Sequence, residues 1–422
     1  MYHAPGWCAR HEVTPQVPSG AGPRASGPEM PVGAVPVVVA TVLRRTGGTG
    51  VQTHVAEFVR YLDAQAVPCT VITPFSAGGV LRDAVFAVRR ILAPLSGATS
   101  VAWYRRWHRL FLERALRREL RSAGDVVVYC QCPVSAAAAL RARRGPNQRV
   151  VMAVHFWVSQ ADEWAGKGEL VRDGRVFGAI RRLERDVVGE VDGVVFVSEA
   201  ARRDLWTTVP EGVRTATIPN FLGRAEPGTG NPAHRGDLVT VGALEPRKNH
   251  RYLLDVLAAA RRNGHDYTLD IVGEGPEGRP LARRARELGI EDQVRLLGYV
   301  PNAASLLPGY RGYVHPALHE PFGLAVLEAM RAGVPPVAAP VGGVLQIFDA
   351  GVEGLHFDLE DPEQGARSVV GLLDDEAARL RMGEAARRRY LEQFDAAVVA
   401  PRLYEFLSSL VAPDDVALSR SA

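Results

Sequence analysis

The residues best suited to chemistry in this sequence lie in one short stretch, residues 319–328. The stretch begins where a short apolar run stops. Pro321 and Gly323 favour the end of a strand, because proline lacks an amide hydrogen and glycine turns freely. Residues 324–331 are rich in leucine, alanine, glutamate and methionine, a composition typical of a helix. The stretch therefore predicts a strand, a tight loop and a helix in succession.

Polar groups converge on the start of that predicted helix. The backbone amides of Phe322, Gly323 and Leu324 lack helical partners and suit a phosphate. Glu320 lies on the incoming loop, and Glu328 lies inside the helix. Because amides bind a diphosphate and carboxylates bind hydroxyl groups, the pattern indicates a nucleotide-sugar pocket. A plain strand–loop–helix corner with two solvated glutamates also fits this spacing.

Composition narrows the class of protein. At 422 residues, with 47% hydrophobic and 23% charged residues, the chain is long enough for two soluble domains. A net charge of +3 argues against nucleic acid as a partner. The four cysteines form no disulfide or zinc pattern, and no apolar run reaches the ~20 residues that span a bilayer. These features predict a cytoplasmic protein. Lysine occurs only at Lys167 and Lys248, which draws attention to both.

Strand and helix patterns alternate in two blocks, separated by a polar linker rich in proline and glycine. The pattern predicts an α/β fold of two Rossmann-like, doubly wound parallel-sheet domains that face each other across a cleft. The expected segments are a disordered tail without a signal peptide at 1–34, a first domain at 35–222, a linker at 223–236, a second domain at 237–395 and a closing helix at 396–412.

Two features of the first predicted domain favour ligand binding. A glycine-rich loop at 46–54 follows the first predicted strand, 37–43, and lets backbone approach a ligand closely. Thr53 replaces the third glycine of a dinucleotide fingerprint, so the loop fits a ligand site or a tight turn. His155 ends the predicted strand 150–154, at the edge where such sheets bind ligands, and a structural imidazole fits there too.

A basic helical region is predicted at 81–122, where aromatic residues such as Trp103 and Phe111 alternate with arginines. Such a face can contact anionic lipid. We favour a surface helix that buries its aromatics and leaves its arginines in water. Membrane contact is therefore the less favoured interpretation.

The second predicted domain opens with Arg247 and Lys248 directly after a strand, where two cations suit a diphosphate. With this loop added, the sequence resembles the GT-B retaining glycosyltransferases of family 4 from about residue 36 to 410. The motifs that carry the resemblance are residues 241–249, 273–276 and 297–300, the pair Glu320 and Glu328, and residues 341–343, with looser matches at 50–52, His155, 197–199 and 219–220.

The resemblance implies roles for individual residues. Lys248 and Arg247 would neutralise the donor diphosphate, Glu320 would bind sugar hydroxyls and Glu328 would bind the ribose. The closing helix would cross back to the first domain. The expected catalytic residues are Glu320, Lys248 and His155. The residues expected to bind the donor are Gly50, Arg247, Lys248, Val300, Glu320, Phe322, Gly323, Leu324 and Glu328. Gln52 is expected on the acceptor side.

The implied reaction moves a hexosyl group, with retention, from a UDP- or GDP-sugar to a hydroxyl of a small molecule or glycan. Antibiotic aminocyclitols are among the acceptors of such enzymes. No cofactor or metal is expected, since the family works without one and no Asp-x-Asp cluster lies near the pocket. Ala243 stands where the family usually has arginine. The rival interpretations are a lipid-linked glycan transferase at the membrane surface, a nucleotide-sugar epimerase or hydrolase, a Rossmann dehydrogenase and a non-catalytic subunit.

Overall fold

The computed structural model describes residues 34–76, 80–92, 96–223 and 236–411. In these residues the chain forms two halves, each built on a parallel sheet of six strands. The predicted tail at 1–34 lies outside the described residues except for its last position, and so does the linker between Gly223 and Gly236. Gly236, which was predicted to end the linker, is already the first residue of a strand.

The first half alternates strands and helices. Its strands are β1 (Val37–Ala40), β2 (Cys69–Ile72), β3 (Val126–Cys130), β4 (Gln148–Val154), β5 (Gly193–Phe196) and β6 (Arg214–Thr217). They lie side by side in the order β2-β1-β3-β4-β5-β6. Its helices are α1 (Gly50–Ala64), α2 (Val80–Leu92), α3 (Gly97–Glu119), α4 (Pro133–Ala142), α5 (Gln160–Gly166), α6 (Arg175–Glu190) and α7 (Glu199–Asp204).

The second half repeats the plan. Its strands are β7 (Gly236–Val241), β8 (Leu269–Val272), β9 (Val294–Gly298), β10 (Tyr310–His315), β11 (Pro336–Ala338) and β12 (Leu355–His356). The sheet order is β12-β11-β10-β7-β8-β9. Its helices are α8 (His250–Arg262), α9 (Gly278–Glu287), α10 (Leu324–Arg331), α11 (Pro362–Asp374), α12 (Glu376–Gln393) and α13 (Ala396–Ser408).

The inner strands are largely buried because helices cover both faces of each sheet. Every residue of β1, β3 and β5 is buried, which is why these segments are continuous apolar runs rather than alternating ones. In both sheets all the pairings are parallel, so the carboxyl ends of the strands share one edge. Ligands of open α/β sheets bind outside that edge.

The last helix belongs to the first half. The chain crosses over at Leu222 and Asp395, which form a β-bridge, and the Tyr390 hydroxyl donates to the Leu222 carbonyl at 2.8 Å. The α13 side chains Leu403 and Leu407 then pack into the core of the first half, which includes the fully buried core residues Val39 and Phe58.

Some predicted element bounds were wrong. The first strand stops at Ala40 rather than residue 43, because the Leu43 amide turns back to donate to the Thr41 hydroxyl. The region predicted as one helical stretch, 81–122, forms the two helices α2 and α3. The short strands β6 and β12 were not predicted. β6 is polar and none of its residues is fully buried, so it lacks the apolar run used to find strands.

Helix α3 buries or half-buries its aromatic residues and leaves its later arginines exposed, whereas Arg105 is buried. Phe111 is buried, the Trp103 indole donates to the Val85 carbonyl at 2.9 Å, and Arg114 and Arg117 are exposed. No helix in the described part of the chain is long and apolar enough to cross a bilayer. The preference for a surface helix over membrane contact stays a prediction.

Candidate active site

The site in the second half is built on two loops that touch through their backbones. The loop after β7 and the loop after β8 meet at Gly242 and Gly273, and a Cβ atom on Gly273 would lie 1.9 Å from the Gly242 carbonyl oxygen. Gly273 also has a φ of 142°, which L side chains rarely adopt. The amide of Leu244 donates to the Glu274 carbonyl at 2.9 Å. Glycine is therefore required here for packing of one loop on the other.

That packing fixes the loop that carries the two cations. A short 3-10 turn, Pro246–Lys248, ends at Asn249, whose left-handed φ of 51° starts α8. The Lys248 ammonium lies 2.5 Å from Oε2 of Glu320, and the two side chains are 14% and 12% exposed. The shortest cation–carboxylate contact described at the site thus joins the two motifs that the sequence singled out.

Glu320 is held from the other side by the end of β10. His315 Nε2 lies 3.2 Å from Glu320 Oε2, and the Tyr313 hydroxyl lies 3.2 Å from His315 Nδ1. Burial alone would raise the pKa of Glu320, but Lys248 and His315 outweigh it and hold the pKa well below its usual range. Burial lowers the pKa of His315, so its neutral ring donates to the carboxylate. Glu320 is therefore a fixed anion beside a fixed cation.

The start of α10 lies directly beyond this carboxylate. Gly323 precedes the helix with a φ of 113°, a conformation that requires glycine. Within the described residues, the amides of Phe322, Gly323 and Leu324 donate to no acceptor. The helix therefore presents free amides next to Lys248, the arrangement expected for binding of an anion.

The glycine pair of the 341–343 motif supports this loop from behind. Cβ atoms on Gly342 and Gly343 would lie 2.2 Å from the Glu320 carbonyl oxygen and 2.4 Å from the Pro321 carbonyl oxygen. The Gly343 amide donates to the Glu320 carbonyl at 2.9 Å. Substitution of either glycine would push the carboxylate loop away from the helix that it precedes.

Glu328 lies one turn into α10 and is held differently. Burial raises the pKa of its carboxyl to about 7, against the opposing effect of Arg331. Among the described residues none donates a hydrogen bond to it. It is thus a largely buried carboxyl with spare acceptor capacity, one turn along the helix from the free amides.

Arg247 does not contact Glu320 directly. Its Nε lies 3.0 Å from Glu245, and Lys167 of the first half lies 3.5 Å from the same carboxylate. Burial works against its charge, but Glu320, Glu245 and Glu163 outweigh burial and raise the pKa of Arg247. The side chains of both lysines therefore form ion pairs with glutamates around this site.

The glycine loop of the first half faces the second half. A Cβ atom on Gly50 would lie 3.0 Å from Leu324 Cδ1, and one on Gly48 would lie 3.5 Å from the Tyr299 ring. Gly50 is the first residue of α1 and Leu324 the first of α10, so the two helices start face to face across the cleft. Val300, beside Tyr299, packs against the core and makes no described contact with the ion pair.

Gln52 is engaged within its own loop. Its side-chain nitrogen donates to the carbonyls of Arg44 at 2.9 Å and Thr46 at 2.8 Å, and its side-chain oxygen accepts from the hydroxyl and amide of Thr49. The residue shapes the loop before α1 in a capping box. A role toward the acceptor stays a prediction.

His155 follows β4 at the carboxyl edge of the first sheet. Its Nε2 lies 3.0 Å from the side-chain oxygen of Gln131, and the His54 ring lies 5.0 Å away between centroids. Burial lowers the pKa of His155 to about 4, so the ring is neutral at pH 7. It does not contact Lys248 or Glu320, and its catalytic role stays a prediction.

Further contacts join the halves beside the site. The Ser198 hydroxyl donates to the Pro321 carbonyl at 2.7 Å, and the Trp157 ring stacks on His319 with centroids 3.7 Å apart. Val158, next to Trp157, has a φ of 54°, a strained value for a β-branched residue. Strain of this kind clusters at functional sites, and here it lies where the first half contacts the carboxylate loop.

Sequence reasoning missed His315, Glu245, Glu163 and Trp157 as parts of the site. His315 carried a usable signal, because it ends a buried strand as His155 does. Glu245 lay inside the 241–249 motif, two residues from Arg247, but was given no role. Glu163 and Trp157 gave no signal, since their relevance arises only when the two halves are brought together. Within the described residues, no group of three or more histidine, cysteine, aspartate or glutamate side chains could hold a metal ion.

The sequence matches two known families. Residues 226–389 match the family described as Glycosyl transferases group 1, and residues 48–222 match the one described as Glycosyltransferase Family 4. A D-inositol 3-phosphate glycosyltransferase of Thermobispora bispora is 30% identical over 303 residues, which cover 62% of this chain and 70% of that protein. A glycogen synthase of Mycobacterium tuberculosis is 32% identical over 54% of this chain and 57% of its own length. The chain thus spans about half the length of several curated relatives that it matches.

Solved structures agree with the fold. Sucrose-phosphate synthase of Thermosynechococcus elongatus is similar with a TM-score of 0.66 at 17% identity, covering 89% of this chain and 99% of that one. HepE of Anabaena, solved with UDP and glucose, is similar with a TM-score of 0.64 at 18% identity. The match covers 88% of this chain and 99% of the HepE chain. The two-sheet architecture and the family predicted from sequence are confirmed. The chain belongs to the GT-B glycosyltransferases of the group 1 and family 4 type.

Proposed function

We propose that the protein is a retaining glycosyltransferase that moves a hexosyl group from a nucleoside-diphosphate sugar to a hydroxyl of a small molecule or glycan. The observation that carries the proposal is the pairing of Lys248 with Glu320 beside the free amides that begin α10. A cation and helix amides suit the diphosphate, and a fixed carboxylate suits the hydroxyls of the sugar.

Each group has a role in the reaction. When the bond between the anomeric carbon and the phosphate oxygen breaks, charge grows on the departing diphosphate. Lys248 and the amides of Phe322 to Leu324 stabilise that charge, because they are in place before the reaction begins. Glu320 lies on the sugar side of them and stabilises the positive charge that develops on the sugar ring. Glu328 accepts hydrogen bonds from the ribose.

The acceptor oxygen attacks from the face that the diphosphate leaves, and its proton passes to the departing phosphate. Neither step needs a metal ion or a cofactor, because protein cations and amides meet the phosphate charge. Arg247 stands next to Lys248 and supplies the positive charge that Ala243 lacks. Two relatives are named as a D-inositol 3-phosphate glycosyltransferase and a glycogen synthase, and these names support a polyol or glycan acceptor.

A donor screen tests the proposal. UDP-, GDP-, ADP- and dTDP-sugars are added singly while thermal unfolding is followed, since a ligand at 100 times its Kd stabilises by about 2.7 kcal/mol. We expect one nucleotide to raise Tm in the wild type and to lose its effect in Lys248→Met. The absence of a shift with any of them contradicts the proposal.

Product analysis separates transfer from its rivals. With the stabilising donor and a panel of polyols and oligosaccharides, NMR of the anomeric proton should show a new glycoside with the configuration of the donor. Conversion of the donor alone to an epimer or a free sugar would favour an epimerase or a hydrolase. An inverted product would refute the retaining assignment.

A further inference from the structure

A buried glutamine lies beside His155 at the carboxyl edge of the first sheet. Gln131 directly follows β3 and His155 directly follows the neighbouring strand β4. The register pairs Cys130 with Met152, so Gln131 lies two residues short of the level of His155, and the two side chains meet at the shared sheet edge. The Gln131 side chain is buried at 3% exposure, and its Oε1 lies 3.0 Å from His155 Nε2. The roles described so far for the site do not use Gln131.

The second contact of this glutamine fixes the direction of the hydrogen bond. Its Nε2 faces the Tyr129 carbonyl oxygen at 3.4 Å. A carbonyl oxygen only accepts, so the amide nitrogen must face it and the amide oxygen must face the histidine. An amide oxygen also only accepts, and the ring of His155 must therefore carry its proton on Nε2.

We propose that Gln131 is a positioning residue that holds His155 as the Nε2–H tautomer and leaves Nδ1 to accept a hydrogen bond from a sugar hydroxyl. Among the described residues none is hydrogen-bonded to that Nδ1. The inference rests on the proposed function only for the identity of the hydroxyl. It assigns the donor a free hydroxyl at the position that faces His155, so a deoxy or fluoro sugar at that position should bind poorly.

The surroundings keep the ring neutral. His54 of α1 faces it at 5.0 Å between centroids and is itself within 3.1 Å of the Tyr129 hydroxyl. Burial lowers the pKa of both histidines, and no described carboxylate or cation is bonded to His155. The second half differs, because there the histidine that ends β10 donates to a carboxylate, Glu320. At His155 the acceptor is the neutral amide oxygen of Gln131. It accepts the hydrogen bond from the ring as a carboxylate would, but it does not stabilise the protonated imidazolium.

Three variants separate positioning from packing. Gln131→Met keeps the shape and removes the acceptor, whereas Gln131→Glu keeps an acceptor and adds a charge that favours the protonated ring. Gln148→Met is the matched control: Gln148 is equally buried, bonds two backbone carbonyls, and begins the strand that His155 follows.

The direct measurement is the ¹⁵N spectrum of histidine-labelled full-length protein, with His155→Gln used to identify the resonances. In wild type and Gln148→Met we expect a neutral Nε2–H ring throughout pH 5 to 8. In Gln131→Glu the ring should titrate within that window, roughly a unit or more above its wild-type pKa. In Gln131→Met the two tautomers should mix. An Nδ1–H tautomer in wild type, or the same spectrum in all variants, overturns the inference.

Kinetics then connect the tautomer with the reaction. We expect kcat/KM to fall about tenfold in Gln131→Met, the scale of one misdirected hydrogen bond. In Gln131→Glu the acid limb of the pH profile should move upward with the titration seen by NMR. An equal loss in Gln148→Met would show a packing effect and contradict the positioning role. If no donor is ever turned over while the Nε2–H tautomer is observed, the proposed function fails and the tautomer assignment stands.

Discussion

Removal of the Lys248 charge should cost both stability and activity, and the structure gives the size of each. In Lys248→Met the Glu320 carboxylate stays at 12% exposure with only His315 as a described partner. Breaking a buried pair from one side typically costs about 3–5 kcal/mol of unfolding free energy. Losing one preorganised charge at the departing phosphate typically costs about 10²-fold in kcat/KM.

The chain supplies its own control for the stability effect, because it has only two lysines. Lys167 pairs with Glu245 at 3.5 Å, and its side chain is 39% exposed. An exposed pair of this kind contributes about 0–1 kcal/mol. Lys167→Met should therefore change the free energy of unfolding much less than Lys248→Met, although both remove one lysine and one ion pair.

Urea unfolding and steady-state kinetics measure the two effects separately. Adding Glu320→Gln to Lys248→Met removes the stranded carboxylate, so most of the lost stability should return while the activity stays low. A Lys248→Met protein that loses less than about 1 kcal/mol would refute the buried-pair reasoning. A variant that unfolds as expected but retains kcat/KM within about threefold would remove Lys248 from the mechanism.

Four further predictions concern the donor site and the surface. Glu320→Gln should lower kcat with a modest change in donor KM, whereas Glu328→Gln should mainly raise donor KM, because ribose contacts do not change during the reaction. Steady-state kinetics with varied donor concentration measure both constants. The assignment of separate roles is contradicted if both variants lose only donor affinity or both lose only turnover. Since the pKa of Glu328 is raised to about 7, its carboxylate forms as pH rises, so donor Kd should fall from pH 6 to 8 in wild type and stay flat in Glu328→Gln, as calorimetry can measure. Turnover should persist in excess EDTA, and loss of activity that Mg²⁺ restores would show a metal requirement. The protein should not sediment with anionic liposomes, because the basic face of α3 is expected to stay in water. Salt-sensitive binding of the protein to the liposomes would favour a lipid-linked acceptor.

The sequence predicted the second half of the site better than the first, for a physical reason. Lys248, Glu320 and the amides before Leu324 lie on loops bounded by a buried strand and a helix, so local pattern alone places them at the sheet edge. The glycines at 342 and 343 were visible as a motif, but their contact with the Glu320 loop is set by tertiary packing. Local patterns carry no information about such distances.

The first half shows where sequence reasoning stops. Gln52 was assigned to the acceptor side from a resemblance, and the bonds of its side chain within its own loop were not predicted. Its role toward the acceptor stays a prediction. The Lys167–Glu245 and Trp157–His319 contacts join residues far apart in the chain, and they depend on how the halves meet. Periodicity also fails for short polar strands such as β6, whose pairing with β5 rather than its own composition makes it a strand.

The crossover of α13 has a consequence for how the protein is made. Leu403 and Leu407 complete the core that surrounds β1, but they are translated after almost the entire second half. At ~5–20 residues per second, the ribosome needs roughly 10 to 40 seconds to travel from residue 222 to the end of α13. During that interval the first half exposes an apolar face that only its own distant C-terminal segment can cover. The nascent chain is therefore a natural client for chaperones, and a fragment that stops at residue 222 should aggregate unless α13 is supplied as a separate peptide.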